Sequence, residues 1–162
     1  ALTRTSTAVL NEDEAVEVAV EVNQRVFRPY PPANVKLDGD TVYEITGLHP
    51  EPVLTWAHRN RLTQADIPVG HEEPSVALED GVEYRIRVYS YAGTVLLSTH
   101  DVGTVDTWTY SLALQSADGN PGSVQFELES VRSEIASQFL YRFKVVLRLG
   151  WGYNWGLNWG GM

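Results

Sequence analysis

The sequence contains no cysteine. That one absence removes disulfide cross-links, thiolate nucleophiles and cysteine-ligated zinc, and it fits either redox compartment. Long apolar runs are missing as well. No stretch reaches the ~18–20 residues that a bilayer-crossing helix needs, so no membrane span is expected. The opening residues lack the basic and apolar regions of a signal peptide. They begin at Ala1 rather than Met, as a processed product or a piece of a longer chain would. Positive charge is scarce: Lys and Arg total 12 against 21 Asp and Glu, a formal net charge of −9. Phosphate binding needs a basic face, so nucleic acid is not an expected partner. Arg59, Arg61, Arg85 and Arg87 come nearest to a basic patch and read as solvated strand and loop charges.

Catalytic signatures are also lacking. There is no nucleophile-elbow string to present a serine. His49, His58, His71 and His100 are widely spaced and read as surface or loop residues; none shows the HExxH spacing of a zinc helix. Glu127 and Glu129 share a strand face at a spacing permissive for glycoside hydrolysis, but that face is expected to be solvated and shared with basic residues. The strings "DGD" (38–40) and "EDG" (79–81) suit turns and lack the full ligand ladder of a calcium loop. No phosphate-cradling glycine loop occurs. Neither enzyme activity nor a cofactor or metal is expected.

What is present is a chain of 162 residues, 43% hydrophobic and 20% charged, enough for one domain with a full core plus an arm or tail. Its dominant period is two. In "AVEVAVEV", Val16, Val18, Val20 and Val22 fall on one face of an extended strand and Glu17 and Glu21 on the other. "FRPYPP" (27–32) follows, and its prolines favour an extended linker. Short strands are then expected at 34–37, 41–48, 53–59, 83–91, 94–99, 107–114, 123–131 and 139–149, with a long polar connection at 60–81. The 107–114 strand puts Trp108, Tyr110, Leu112 and Leu114 on one face. The 139–149 strand points Phe139, Tyr141, Phe143, Val145 and Leu147 inward. "SEIASQF" between the last two strands fits one helical turn or a loop equally well. Glu127 and Glu129 are expected to face Arg142 and Lys144 across the sheet surface. Many short strands with no long helix read as an antiparallel β-sandwich.

The final stretch, "WGYNWGLNWGG", carries Trp151, Trp155 and Trp159 at intervals of four. Extended, it places Trp151, Tyr153, Trp155, Leu157 and Trp159 on one face and glycine or asparagine on the other. A helix is disfavoured, since each interior glycine costs about 1 kcal/mol relative to alanine. Three uses remain open: docking on a neighbouring subunit, packing on its own domain, or stacking on sugar rings. The valine strand likewise needs a sheet to join, its own or another chain's. The candidate interface residues are therefore Val16, Val18, Val20, Val22, Trp151, Tyr153, Trp155, Leu157 and Trp159.

The stretch from Pro31 to Leu149 resembles a fibronectin type III domain, through "PPANVKL", "LTWAHR", "EYRIRVYS" and "VQFELESV". The joint run of "RPYPP", "LTWAHRNR", "ELESVR" and "GWGYNWG" is similar to the C-terminal part of tail proteins of tailed bacteriophages. The resemblance implies an all-β fold: an antiparallel fibronectin type III-like β-sandwich at 29–149, an extended N-terminal arm with one β-strand at 1–28, and a Trp/Gly-rich C-terminal strand at 150–162. It implies a structural virion protein of the phage tail (tip, fibre or baseplate) that works by subunit assembly. Its partners would be copies of itself and other tail proteins, with host attachment as a further role. The alternative expectation is a carbohydrate-binding module recognising bacterial surface glycans.

Overall fold

The computed structural model describes residues 3–4, 9–10, 27–43, 45–64 and 69–148. Strands β1 (Thr3–Arg4) and β2 (Val9–Leu10) form a short antiparallel ladder, separate from the rest. The body is built from β3 (Ala33–Leu37), β4 (Asp40–Thr41), β5 (Val53–Ala57), β6 (Val82–Ser90), β7 (Leu96–Gly103), β8 (Thr107–Thr109), a helix α1 (Leu112–Ala117), β9 (Ser123–Arg132), β10 (Ile135–Ala136) and β11 (Tyr141–Val146). These strands make two antiparallel sheets. One has the order β4-β3-β5-β8. In the other, β9 pairs with β6 along one edge and with β11 and β10 along its opposite edge, and β6 pairs with β7.

The two sheets face each other across one core. Alternation places Tyr84, Ile86 and Val88 of β6, Val124, Phe126 and Leu128 of β9, and Phe143 and Val145 of β11 on its inner side. Val35, Leu37, Leu54 and Trp56 meet them from the other sheet. Rings interlock between sheets: Trp56 lies edge-on to Tyr84 at 5.3 Å, and Trp108 edge-on to Phe126 at 5.8 Å, the geometry that ring quadrupoles favour. The all-β sandwich read from strand periodicity is therefore the architecture observed.

Several elements differ from expectation. The 107–114 strand stops at Thr109. Ser111 caps a helix instead, its Oγ accepting from Leu114 N at 3.4 Å, and Leu112 is left exposed rather than inward. A cap followed by Leu-Ala-Leu-Gln outweighs the alternation, because all four residues favour helix. The 41–48 strand is reduced to Asp40–Thr41, which pairs with β3 through a tight Asp38-Gly39 turn, plus a parallel bridge between Leu48 and Val146. Strand β11 begins at Tyr141, and Phe139, assigned inward by its parity, is 67% exposed. The "SEIASQF" stretch holds no helical turn; it makes a hairpin into β10 and then a short connection without regular structure to β11. Ser133 (φ +48°) and Glu134 (φ +65°) make a two-residue hairpin.

That hairpin has a testable weakness. Both residues occupy the left-handed region, which costs a β-carbon-bearing residue about 1–2 kcal/mol and is ordinarily given to Asn-Gly. The double substitution Ser133→Asn, Glu134→Gly should raise unfolding stability by about 1 kcal/mol in urea denaturation. The lost contact from Glu134 to Arg85, 3.4 Å long and exposed, offsets little of that. A fall in stability would show that the hairpin is held in some other way.

Candidate functional site

Three polar clusters and one apolar groove stand out among the described residues. The first lies on the outer face of the β9 sheet. Register puts Thr99, Arg87, Glu127 and Arg142 in one cross-strand row, and Asp101, Arg85 and Glu129 in the next. Glu127 and Glu129 were expected on a solvated surface; they are only 6% and 4% exposed. Strand β9 is flanked on both edges, so the long stems of its neighbours' side chains cover them. Arg87 Nη2 donates to Glu129 Oε1 at 2.6 Å, and Arg142 Nε donates to Glu127 Oε1 at 2.8 Å. Arg87 also reaches Glu127 Oε2 at 3.9 Å. The expected partner Arg142 is thus found on Glu127. Lys144 stands opposite Gln125 instead, with its ammonium 4.7 Å above the Tyr91 ring. Guanidinium groups engage both carboxylates, which makes the pair a register-setting network rather than a free acid and base.

The other three arginines of the expected basic patch are also engaged, Arg61 and Arg85 while still partly exposed. Arg85 Nε donates to Asp101 at 2.6 Å, and Arg61 Nε to the buried Glu79 at 2.7 Å. Arg59 is buried in the second group, where its guanidinium donates to the carbonyls of His58, Gly70, His71, Glu73 and Pro74 at 2.8–3.2 Å. Backbone carbonyls without a sheet partner must be satisfied somewhere. One planar cation does this for four carbonyls of the 60–81 connection, those of Gly70, His71, Glu73 and Pro74. Asn60 assists by accepting from Leu62 N and Thr63 N and donating to Ala77 O.

The third group closes the sandwich between β7 and β8. Ser98 Oγ donates to Asp118 Oδ2 at 2.8 Å and lies 2.9 Å from His100 Nε2. Tyr110 donates to the same carboxylate oxygen at 2.7 Å, and burial followed by Asp118 pushes its phenol pKa up. Ser, His and Asp meet here, yet in the wrong order for nucleophilic catalysis. The serine proton goes to the carboxylate, so His100 donates to Ser98 rather than accepting from it. The remaining histidines, read from sequence as plain surface or loop residues, are also engaged. His49 Nδ1 lies 2.5 Å from Asp38, His58 Nδ1 2.8 Å from the Tyr84 hydroxyl, and the His71 ring stacks on Tyr141 at 5.8 Å. No three metal-ligating side chains converge among the described residues.

The fourth feature is apolar. At the opposite mouth of the sandwich, between the β3–β4 edge and the start of β11, Pro31, Val42, Tyr43, Phe139, Leu140 and Tyr141 line a groove of about 480 Å³. Tyr43 is 79% exposed there, and burial pushes the Tyr141 phenol pKa up to about 12. Sequence reasoning missed this groove. The available signal was the triplet Phe139-Leu140-Tyr141, since three consecutive apolar residues cannot all point inward from a strand.

The candidate interface residues Val16, Val18, Val20, Val22, Trp151, Tyr153, Trp155, Leu157 and Trp159 lie outside the described residues. No family model matches this sequence, and a search of curated proteins finds no matching relative.

Two predictions follow the geometry. Arg87 neutralises two buried carboxylates, so Arg87→Ala should cost about 2–4 kcal/mol. Arg142→Ala should cost under about 1 kcal/mol, because that side chain is 58% exposed. Equal losses in denaturant titrations would contradict the ion-pair assignment. The second concerns pH. Burial pushes the His58 imidazole pKa down, against a weaker upward pull from Asp106. The unfolded chain then binds the extra proton first, so this group withdraws stability as pH falls through about 6.5. Thermal melts of His58→Gln between pH 7 and 5 should show a shallower decline than the parent; an unchanged slope would remove His58 as the cause.

Proposed function

We propose that this chain is a structural subunit that acts by assembly, a fibronectin type III-like spacer whose terminal segments join neighbouring subunits, of the kind found in a phage tail tip, fibre or baseplate. The strand orders support that reading: β3-β5-β8 within the four-stranded sheet and β11-β9-β6-β7 within the five-stranded sheet follow the orders a fibronectin type III domain would have, with β4 and β10 as additions. One observation carries the assembly reading. The polar clusters satisfy one another inside the domain, whereas the apolar groove at one mouth of the sandwich stays open among the described residues. A catalyst keeps a reactive group accessible and poised, and an assembly module keeps adhesive surface accessible. The aromatic strip and the valine segment would each present one apolar face if extended, which supports the same reading.

Light scattering of the 162-residue chain beside a version lacking 150–162 tests the proposal. The intact chain should associate with increasing concentration, and the shortened chain should stay monomeric with its melting temperature unchanged. Association that persists without the strip would count against it. Tryptophan fluorescence titrated with bacterial surface polysaccharide gives the contrasting outcome, since a saturable change in the intact chain alone would favour a glycan-binding module.

A further inference from the structure

We propose, building on the assembly reading above, that the outer edge of β11 and the groove beside it receive the aromatic strip, residues 151–159, of a second copy of this chain. The edge is open in a specific sense. Main-chain groups of successive strand residues point to alternate sides. Leu147 N donates toward the β9 side, to Gly122 O at 2.9 Å, while Val146 O points away and accepts from His49 N at 2.8 Å. Alternation then turns the main-chain N–H and C=O of Lys144 and Arg142 outward like those of Val146. Among the described residues, β11 has no ladder on that side beyond the Leu48–Val146 bridge. Unpaired strand edges are templates for another strand.

The strip has the chemistry this edge requires. Its nine residues carry no charge, and in extended form they span about 30 Å, longer than β11. One face holds Trp151, Tyr153, Trp155, Leu157 and Trp159, to lie toward the groove formed by Tyr43, Phe139 and Leu140. The opposite face holds only glycine and asparagine, level with the outward side chains of Arg142 and Lys144. Glycine removes the side-chain bulk that would otherwise hinder close backbone approach.

The donor is a second copy because of where the strip is attached. It follows Arg148, at the end of β11 remote from the groove. To pair beside its own β11 it would have to reverse at once and pass Val146, where His49 and Leu48 already occupy the outward position. A neighbour's strip entering from the Tyr141 end would pair along Arg142 and Lys144 before reaching that block.

The absence of cysteine makes the test direct. Full-length chains carrying Lys144→Cys are mixed with chains carrying Asn154→Cys or Asn158→Cys and mildly oxidised, then run on non-reducing gels. A cross-linked product well above that of either chain alone is expected. A disulfide that forms only within the doubly substituted chain, with none in the mixture, overturns the proposal in favour of self-docking. As a second measurement, Tyr43→Glu and Phe139→Glu, both at exposed positions, should weaken association at least tenfold while leaving circular dichroism and melting unchanged. If removing 150–162 abolishes association but these substitutions and the cross-link have no effect, this inference fails and the assembly reading stands. If removing the strip changes nothing, both fail.

Discussion

Strand β9 is hydrogen-bonded along both edges, and the rest of the domain is organised around that position. Val124, Phe126 and Leu128 fill the core from its inner face, with Leu128 and Phe126 fully buried. Its outer residues, Gln125, Glu127 and Glu129, then lie beneath side chains from β6 and β11 whether or not they are polar. A carboxylate covered in this way is costly without a partner. Arg87 and Arg142 occupy the flanking register positions that supply one. The same network fixes register: a slip of one residue would carry Glu127 into the core and Phe126 onto the surface. Ion pairing here acts chiefly as a specificity device, with hydrophobic burial on the other face as the driving force.

A sandwich of two open sheets has two mouths, and this chain treats them differently. Between β7 and β8, Ser98, His100, Tyr110 and Asp118 bond to one another under Trp108, and α1 follows directly in the chain. That mouth is sealed by short polar contacts from within the domain. At the β11 mouth the described residues leave the apolar groove open, and beside it a strand edge that carries no ladder beyond the Leu48–Val146 bridge. Natural sheets usually blunt such edges with charge, bulges or covering loops. Here Arg142 is tied to Glu127 and Lys144 leans over Tyr91, so both cations on the edge are held on the sheet surface.

Period-two patterning located β6, β9 and the body of β11 and identified their inner residues, because a half-buried strand has few ways to arrange alternating side chains. It failed at strand ends and over local signals. Ser111 started a helix that alternation could not register, and Phe139 broke from a parity that holds only once the strand has begun. Alternation also misjudged the outer face of β9. Whether a glutamate on a sheet surface is covered depends on strand order, which a single sequence does not display. The arginines had the same problem in reverse. Arg59 looked like any loop charge, and its role emerges only when the carbonyls of 70–74 curl around it. The groove was the least legible feature, since it is composed of three segments far apart in the chain.

The distribution of charge along the chain leaves room for the proposed assembly through the aromatic strip despite a net charge of −9. Glu12, Asp13, Glu14, Glu17 and Glu21 cluster in residues 11–22 with no Lys or Arg among them, while residues 149–162 carry no charge. Copies brought together at these acidic segments would repel one another. With a screening length of about 8 Å at physiological salt, that repulsion fades once those segments are held apart. The groove lining, by contrast, includes a single charged side chain among the described residues, Arg142, and it is paired with Glu127. An incoming uncharged strand would desolvate aromatic rings and backbone amides that it can pair, and would leave no new buried charge unpartnered. Acidity in one segment and neutrality in another would thus direct contact to the strip and disfavour association through the acidic segments.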